Sequence, residues 1–225
     1  MRESARNMQF ETGRPATMAP RGMVVSSHAL ASQAGLEILK AGGSAVDAAI
    51  ATSAVLSVVY PHMTGVGGDA FWLIYDAKAR RVRYLDAAGQ AASSASIGWF
   101  LERGLTEIPF RGVFPATLTV PGAVDGWCTA HSEFGRVPLA QSLAAAIGYA
   151  RDGFPISARL SRWIGLTAAD NTFNDEAQRI FTPAGVVPRA GAKLVNRNLS
   201  RTIGAVASGG RDAFYRGECA KAMAA

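Results

Sequence analysis

The stretch from Ala45 to Tyr60 constrains the fold more than any other part of the chain. It is rich in alanine and valine, and its one charged residue is Asp47. Ser44 precedes the stretch and Asp47 follows three residues later, which is close to the spacing of a capping box, and Pro61 disfavours helical geometry at the residue before it. The run is shorter than the roughly 20 residues that cross a bilayer. The sequence therefore predicts a helix that is surrounded by protein.

The composition indicates a globular domain with one core. The chain has 225 residues, of which 49% are hydrophobic and 18% charged, with no bias towards disorder, collagen or coiled coil. The net charge is +6, but the arginines are scattered and have few aromatic neighbours, so nucleic-acid binding is not expected. Cys128 and Cys219 lie far apart without further ligands at metal-binding spacing. We expect no metal, no cofactor and no disulfide framework.

The two ends of the chain lead to separate expectations. Residues 1–20 are polar and broken by Gly13, Pro15 and Pro20, which predicts a flexible tail before a single domain at 21–225. The tail has no apolar run of the kind found in signal peptides, so a cytoplasmic location without membrane association is expected. At the other end, the predicted final helix reaches Ala225 without a capping residue, which favours a truncated or cut chain.

The remaining patterns predict an α+β fold. Two aromatic and β-branched runs, 70–76 and 81–86, are joined by four residues and predict a β-hairpin. The second run alternates polar and apolar residues, so one face of the hairpin should be wet or partly covered. Further helices are predicted at 29–41, 97–103, 124–134, 139–151, 157–173 and 196–206, with the last closing at Gly209-Gly210, and one more begins near Gly217.

No group of side chains in the sequence forms a convincing active site. The glycine loop at 65–68 follows a helix and precedes a strand, the reverse of a phosphate-binding loop, so its glycines favour a tight turn or a pocket lining over a nucleotide site. His28, His62 and His131 lack zinc-like spacing and are expected to pack or to cap helices. Asp69, inside the glycine loop, is the one aspartate that merits a test as general base.

Three ordered motifs closely resemble the start of gamma-glutamyltranspeptidases. They lie at 22–28 (GMVVSSH), 43–49 (GSAVDAA) and 61–68 (PHMTGVGG). The resemblance continues through 75–76, 120–127 (VPGAVDGW), 134–136 (FGR) and 210–217 (GRDAFYRG), and so covers nearly all of the chain after Pro20. The chain is identified as a member of that family.

The resemblance implies a fold and an active site that is shared between two chains. Family members fold as four-layer αββα sandwiches, as N-terminal-nucleophile hydrolases do, and this chain would be the amino-terminal part of the large chain, with the sandwich incomplete. The precursor cuts itself and frees a threonine whose α-amino group acts as base. Four threonines, Thr64, Thr117, Thr119 and Thr129, do not lie in a sequence like the family's processing site. No catalytic residue is therefore expected in this chain, and the nucleophile is expected downstream.

The implied partners are the rest of the precursor, including the small chain, and a small-molecule amide substrate. A homo-oligomer of processed heterodimers is compatible with the resemblance. A lone fragment would expose sheet edges and apolar faces, because the family's central sheets draw strands from both chains.

One departure from the family pattern bears on the substrate. The family carries Asp, any residue, Arg and Glu after the second hairpin strand, and the arginine holds the glutamyl α-carboxylate. Here Ala88 takes the place of the arginine and Gly89 that of the glutamate, so the charge-assisted, bidentate contact is absent. The resemblance makes Asp86, Ala88 and Gln90 the expected substrate-binding positions. It favours oxamate, another small amide or an acyl side chain as substrate.

Two alternatives stay open. The chain could be a truncated fragment without catalytic activity, and by itself it is expected to be inactive. Gamma-glutamyl transfer or glutathione hydrolysis is the other alternative, because it is the usual activity of the family.

Overall fold

The computed structural model describes residues 17–109 and 112–224. Most of the predicted tail, residues 1–16, lies outside the described residues, and residues 17–20 form neither helix nor strand. The elements follow in the order α1 (Ala29–Lys40), α2 (Ala45–Val59), β1 (Ala70–Asp76), β2 (Arg81–Ala87), α3 (Ile97–Leu101), α4 (Ala123–Phe134), α5 (Leu139–Asp152), β3 (Phe154–Pro155), α6 (Ala158–Ala169), α7 (Asp175–Phe181), a 3-10 turn (Pro183–Gly185), β4 (Lys193–Leu194), α8 (Arg197–Tyr215) and α9 (Glu218–Ala224).

Helix α2 lies at the centre of the core, as the sequence predicts. It packs against α1, α4 and α5, and residues around its whole circumference are buried. The Ser44 amide donates to the Asp47 carboxylate at 2.8 Å and the Asp47 amide donates to Ser44 Oγ at 3.1 Å, which confirms the capping box. Each fully buried valine or isoleucine of this helix contributes roughly 1.5–3 kcal/mol of transfer free energy. The burial of α2 is therefore a main source of the domain's stability.

The contact between α1 and α2 depends on a glycine. A Cβ atom placed on Gly35 would lie 2.3 Å from Thr52 Oγ1 and 3.0 Å from the Ala48 carbonyl oxygen. The two helix backbones therefore approach more closely here than a larger residue would allow. Helix α1 begins after His28, whose Nδ1 accepts a hydrogen bond from the Leu30 amide at 3.3 Å. His28 thus caps the helix as expected.

The predicted β-hairpin is present, and its exposed face is apolar. Strands β1 and β2 pair antiparallel from Ala70 opposite Ala87 to Asp76 opposite Arg81. Trp72, Ile74 and Leu85 pack against the core. The outer face of the hairpin consists of Phe71, Leu73, Tyr75, Val82 and Tyr84, all of which are exposed. The prediction of one uncovered face is confirmed, but that face carries aromatic and aliphatic side chains.

The carboxyl-terminal half departs from the predicted pattern in several places, and α7 is a helix that the sequence analysis does not predict. Helix α6 ends at Ala169 and not near residue 173, because Asn171 adopts a left-handed conformation with φ 51°. Strands β3 and β4 pair over two residues each, too short to show a period of two in the sequence. Helix α8 continues to Tyr215 across a break at Gly210, where φ is 61° and ψ is −148°. Among the described residues, none of the helices is both long and apolar enough to cross a membrane.

Candidate functional site

Residues 86–90, which we call the site wall, comprise the last two paired residues of β2 and the three residues that follow the strand. Three consecutive residues of this segment have their backbone fixed by hydrogen bonds. The Ala88 amide donates to Asp86 Oδ1 at 2.9 Å, and the Gly89 amide donates to Asp69 Oδ1 at 2.9 Å. The Gln90 carbonyl accepts from the Val120 amide at 3.0 Å. These three bonds define the backbone conformation of the wall.

The three predicted substrate-binding residues share one side of the wall. Asp86, Ala88 and Gln90 are exposed, whereas Ala87 is buried and Gly89 is half-buried. This alternation continues that of β2, where Val82 and Tyr84 are also exposed. The structure thus brings the three residues together at the end of the outer face of the hairpin. One oxygen of Asp86 is already bonded to the Ala88 amide, so this side chain also shapes the wall.

The other side of the wall lies directly against the segment before α4. A Cβ atom on Gly89 would lie 1.5 Å from the Val120 carbonyl oxygen, and one on Gly122 would lie 2.0 Å from the Ala87 carbonyl oxygen. Real Cβ atoms do not approach backbone atoms so closely. Glycine is therefore required at both positions, and a glutamate at position 89 would not fit this backbone.

The glycine loop 65–68 holds the start of α4. The Gly68 carbonyl accepts from the amides of Gly122 and Ala123 at 2.9 and 2.8 Å, and the Gly68 amide donates to Gly65 at 3.2 Å. These bonds occupy amides at the amino terminus of α4 that an anion would otherwise bind. The geometry therefore favours the tight-turn interpretation of the loop over a nucleotide site.

A distant motif completes the support of α4. The Tyr215 hydroxyl donates to the Pro121 carbonyl at 2.6 Å and accepts from the Asp125 amide at 3.0 Å, which caps a helix whose own capping residue, Gly122, has no side chain to do so. Arg211 forms an ion pair with Asp125, and its guanidinium lies 4.9 Å from the centre of the Tyr215 ring. Burial raises the pKa of Tyr215, in the direction that favours the protonated hydroxyl.

The remaining histidines, His62 and His131, pack against or bond to neighbouring residues, as the sequence predicts. His131 Nε2 lies 2.8 Å from the Val137 carbonyl and 3.8 Å from Asp47 Oδ1. The His62 ring packs 4.2 Å from that of Tyr60, and burial, together with the charge of Arg159, lowers its pKa. Within residues 17–109 and 112–224, no cluster of three or more His, Cys, Asp and Glu side chains is arranged to hold a metal ion.

The contacts between distant segments at this site were not predicted from the sequence, as two examples show. The bond from Gly89 to Asp69 spans 20 residues and the bond from Tyr215 to Pro121 spans 94 residues. Hydrophobic periodicity does not report such polar contacts. A signal for the first was present, because Asp69 immediately precedes β1 and Gly89 follows β2, so the hairpin register brings the two residues close together.

Comparison with known proteins identifies the family of this chain. The family model of gamma-glutamyltranspeptidase matches residues 31–225, and the chain belongs to that family. The chain is 42% identical over 199 residues to the glutathione hydrolase-like YwrD proenzyme of Bacillus subtilis, with 88% of this chain and 37% of the relative covered. It is 40% identical over 212 residues to the oxamate amidohydrolase proenzyme of Klebsiella pneumoniae, with 92% and 39% covered.

A solved structure extends the agreement to the fold. The gamma-glutamyltranspeptidase of Helicobacter pylori superposes with a TM-score of 0.82 at 27% identity, covering 93% of this chain and 60% of that one. The fold is therefore part of the αββα sandwich of the N-terminal-nucleophile hydrolases. The chain spans well under half the length of the two proenzymes.

Proposed function

We propose that the protein containing this chain is an amide hydrolase or acyltransferase that acts through a threonine outside this chain. The threonine hydroxyl would attack the amide carbonyl, releasing the amine and leaving an acyl ester on the enzyme, and water would then release the acid. The site wall would line the pocket for the acyl group. By itself, this chain would be inactive.

One observation carries the proposed substrate class. Ala88 is exposed on a wall whose backbone is fixed at residues 88, 89 and 90, so a methyl group stands where the family's arginine would hold an α-carboxylate. Gln90 lies two residues further along on the same side, and its carboxamide can donate a neutral hydrogen bond to a carbonyl or carboxylate. This wall suits a small amide such as oxamate better than a γ-glutamyl group.

The outer face of the hairpin supports a proposal about the partner. Phe71, Leu73 and Tyr75 are 63%, 77% and 65% exposed, and an isolated two-stranded sheet is marginally stable in water. More than half the length of the two proenzyme relatives has no counterpart in this chain. We propose that the rest of the precursor, including the small chain, packs on this face, which also places it beside the site wall.

The substrate proposal is tested with the full-length, processed protein. We expect a higher kcat/KM for oxamate than for a γ-glutamyl anilide. Ala88→Arg should raise the kcat/KM for the anilide about tenfold or more, because it supplies a charged hydrogen-bond donor for the α-carboxylate. Ala77→Arg adds the same charge at the opposite end of the hairpin and should leave both values unchanged. A wild-type protein that prefers the anilide would contradict the proposal.

Glutathione hydrolysis is the second candidate function. This candidate is favoured because the relative with 42% identity is named a glutathione hydrolase-like proenzyme. Release of glutamate from glutathione by the wild-type protein, at turnover numbers typical of enzymes, would establish this function and displace the first. In that case the α-carboxylate would have to be held by a group other than residue 88.

A further inference from the structure

The carboxylate of Asp69 joins two segments that the hairpin ladder does not connect. Asp69 lies one residue before β1, and the pairing of β1 with β2 ends at Ala70 opposite Ala87. The Gly89 amide donates to Asp69 Oδ1 at 2.9 Å. The side chain of Asp69 thus provides a cross-strand bond just beyond the end of the paired strands.

The Gly68 carbonyl, next to Asp69 in the chain, bonds to a different segment. The Gly68 carbonyl is occupied by the amides of Gly122 and Ala123, at 2.9 and 2.8 Å. Gly89 is also confined from its other side, since even a Cβ atom would lie 1.5 Å from the Val120 carbonyl oxygen. The Asp69 carboxylate is therefore the acceptor that this fold provides for the Gly89 amide.

We infer that Asp69 is a positioning residue that fixes Gly89 and thereby orients Ala88 and Gln90 towards the acyl group of the substrate. The inference rests on the proposed function, in which those two side chains line the acyl pocket. Asp69 acts as a hydrogen-bond acceptor for a peptide amide and not as a proton-transfer group. This assignment replaces the general-base role that the sequence alone suggested for testing.

Three variants of the full-length protein separate these roles. Asp69→Ala removes the acceptor, whereas Asp69→Asn keeps an oxygen acceptor but removes the charge and the basicity. Asp76→Ala is the matched control, because Asp76 Oδ1 also accepts backbone amides, those of Lys78 and Ala79, at the far end of the same hairpin.

We expect Asp69→Ala to lower kcat/KM about tenfold, the effect of losing one hydrogen bond to a charged group. Asp69→Asn should recover most of that loss with an unchanged pH profile, and Asp76→Ala should match the wild type. An Asp69→Asn protein as impaired as Asp69→Ala would overturn the inference, because it would indicate a need for the base or the charge. An Asp69→Ala protein with wild-type kinetics would overturn it as well.

Hydrogen exchange distinguishes this inference from the proposed function. The Gly89 amide should exchange slowly in the wild type and in Asp69→Asn, and at least tenfold faster in Asp69→Ala. Unchanged exchange in Asp69→Ala would refute the positioning role whatever the activity. If the wild type hydrolyses no amide but the exchange rates differ as expected, the proposed function fails while Asp69 still fixes the wall.

Discussion

The two ends of the hairpin are built in different ways. At the turn, Asp76 accepts bonds from the amides of Lys78 and Ala79, both at 3.0 Å and both within three residues. At the opposite end, the site wall is held by Asp69, which lies 20 residues before Gly89, and by Val120. The start of α4 behind the wall is in turn bonded to Tyr215. The turn end is therefore held by hydrogen bonds between neighbouring residues, whereas the wall end combines four separate segments of the chain.

This difference indicates which end of the hairpin depends on contacts between distant residues. A turn whose hydrogen bonds all lie within a few residues does not depend on the flanking structure, so it tolerates substitutions in its surroundings. A wall assembled from distant segments has its backbone fixed by contacts within the protein, and a substrate-binding surface benefits from such fixed geometry. We therefore expect substitutions at the wall end to have much larger effects than matched substitutions elsewhere.

The largest effect is expected for Gly89→Ala. The new Cβ atom would lie 1.5 Å from the Val120 carbonyl oxygen, a backbone atom that no rotamer change can move. We expect roughly 3 kcal/mol of destabilisation or displacement of the whole wall. Gly148→Ala is the control, because a Cβ atom there meets nothing within 4 Å inside α5, and it should stabilise the protein by about 0.5–1 kcal/mol. Urea denaturation of both variants measures the difference.

An intermediate effect is expected for Tyr215→Phe. Losing the hydroxyl leaves the Pro121 carbonyl and the Asp125 amide without this partner, at a cost of about 1–3 kcal/mol. In this chain by itself, Tyr84→Phe removes a hydroxyl from a side chain that is 64% exposed and should change stability by less than about 0.5 kcal/mol. Equal denaturation midpoints for the two variants would show that the link to Tyr215 does not stabilise α4.

The smallest effect is expected at the local turn. The hydrogen bond from the Ala79 amide, followed by that from Lys78 and the charges of Arg83 and Arg81, holds the pKa of Asp76 below its ordinary value. Because the folded pKa is the lower one, the stabilisation is complete above the ordinary pKa of about 4 and is lost as the pH falls through the folded value. Asp76→Asn should slightly flatten the acid side of a stability curve measured from pH 6 to pH 2. A steeper acid side would contradict this sign.

The sequence predicted the local features of the fold and few of its long-range polar contacts. The capping box of Ser44 and Asp47 and the hairpin register depend on residues close in the chain. The contact between Tyr215 and Pro121 joins loops and helix ends that carry no period. The apolar character of the outer face could also have been predicted from the sequence. Phe71, Leu73 and Tyr75 alternate with Trp72 and Ile74, so both faces of the strand are apolar.

The candidate site was predicted through family resemblance and not through residue chemistry. Asp86, Ala88 and Gln90 carry no pattern typical of an active site, and the missing arginine is informative only beside the family motif. The structure adds that the three residues share one exposed side and that Asp69 fixes the backbone between them. These are geometric facts that depend on contacts with residues 68–69 and 120–123.

The most direct test is a crystal structure of the full-length, processed protein with a slowly hydrolysed amide bound at the nucleophile. We predict that the acyl group contacts the Ala88 methyl group and the Gln90 carboxamide within about 4 Å, with the bond from Gly89 to Asp69 intact. An acyl group held on a different surface, or a site wall that moves away from Asp69 when the ligand binds, would contradict it.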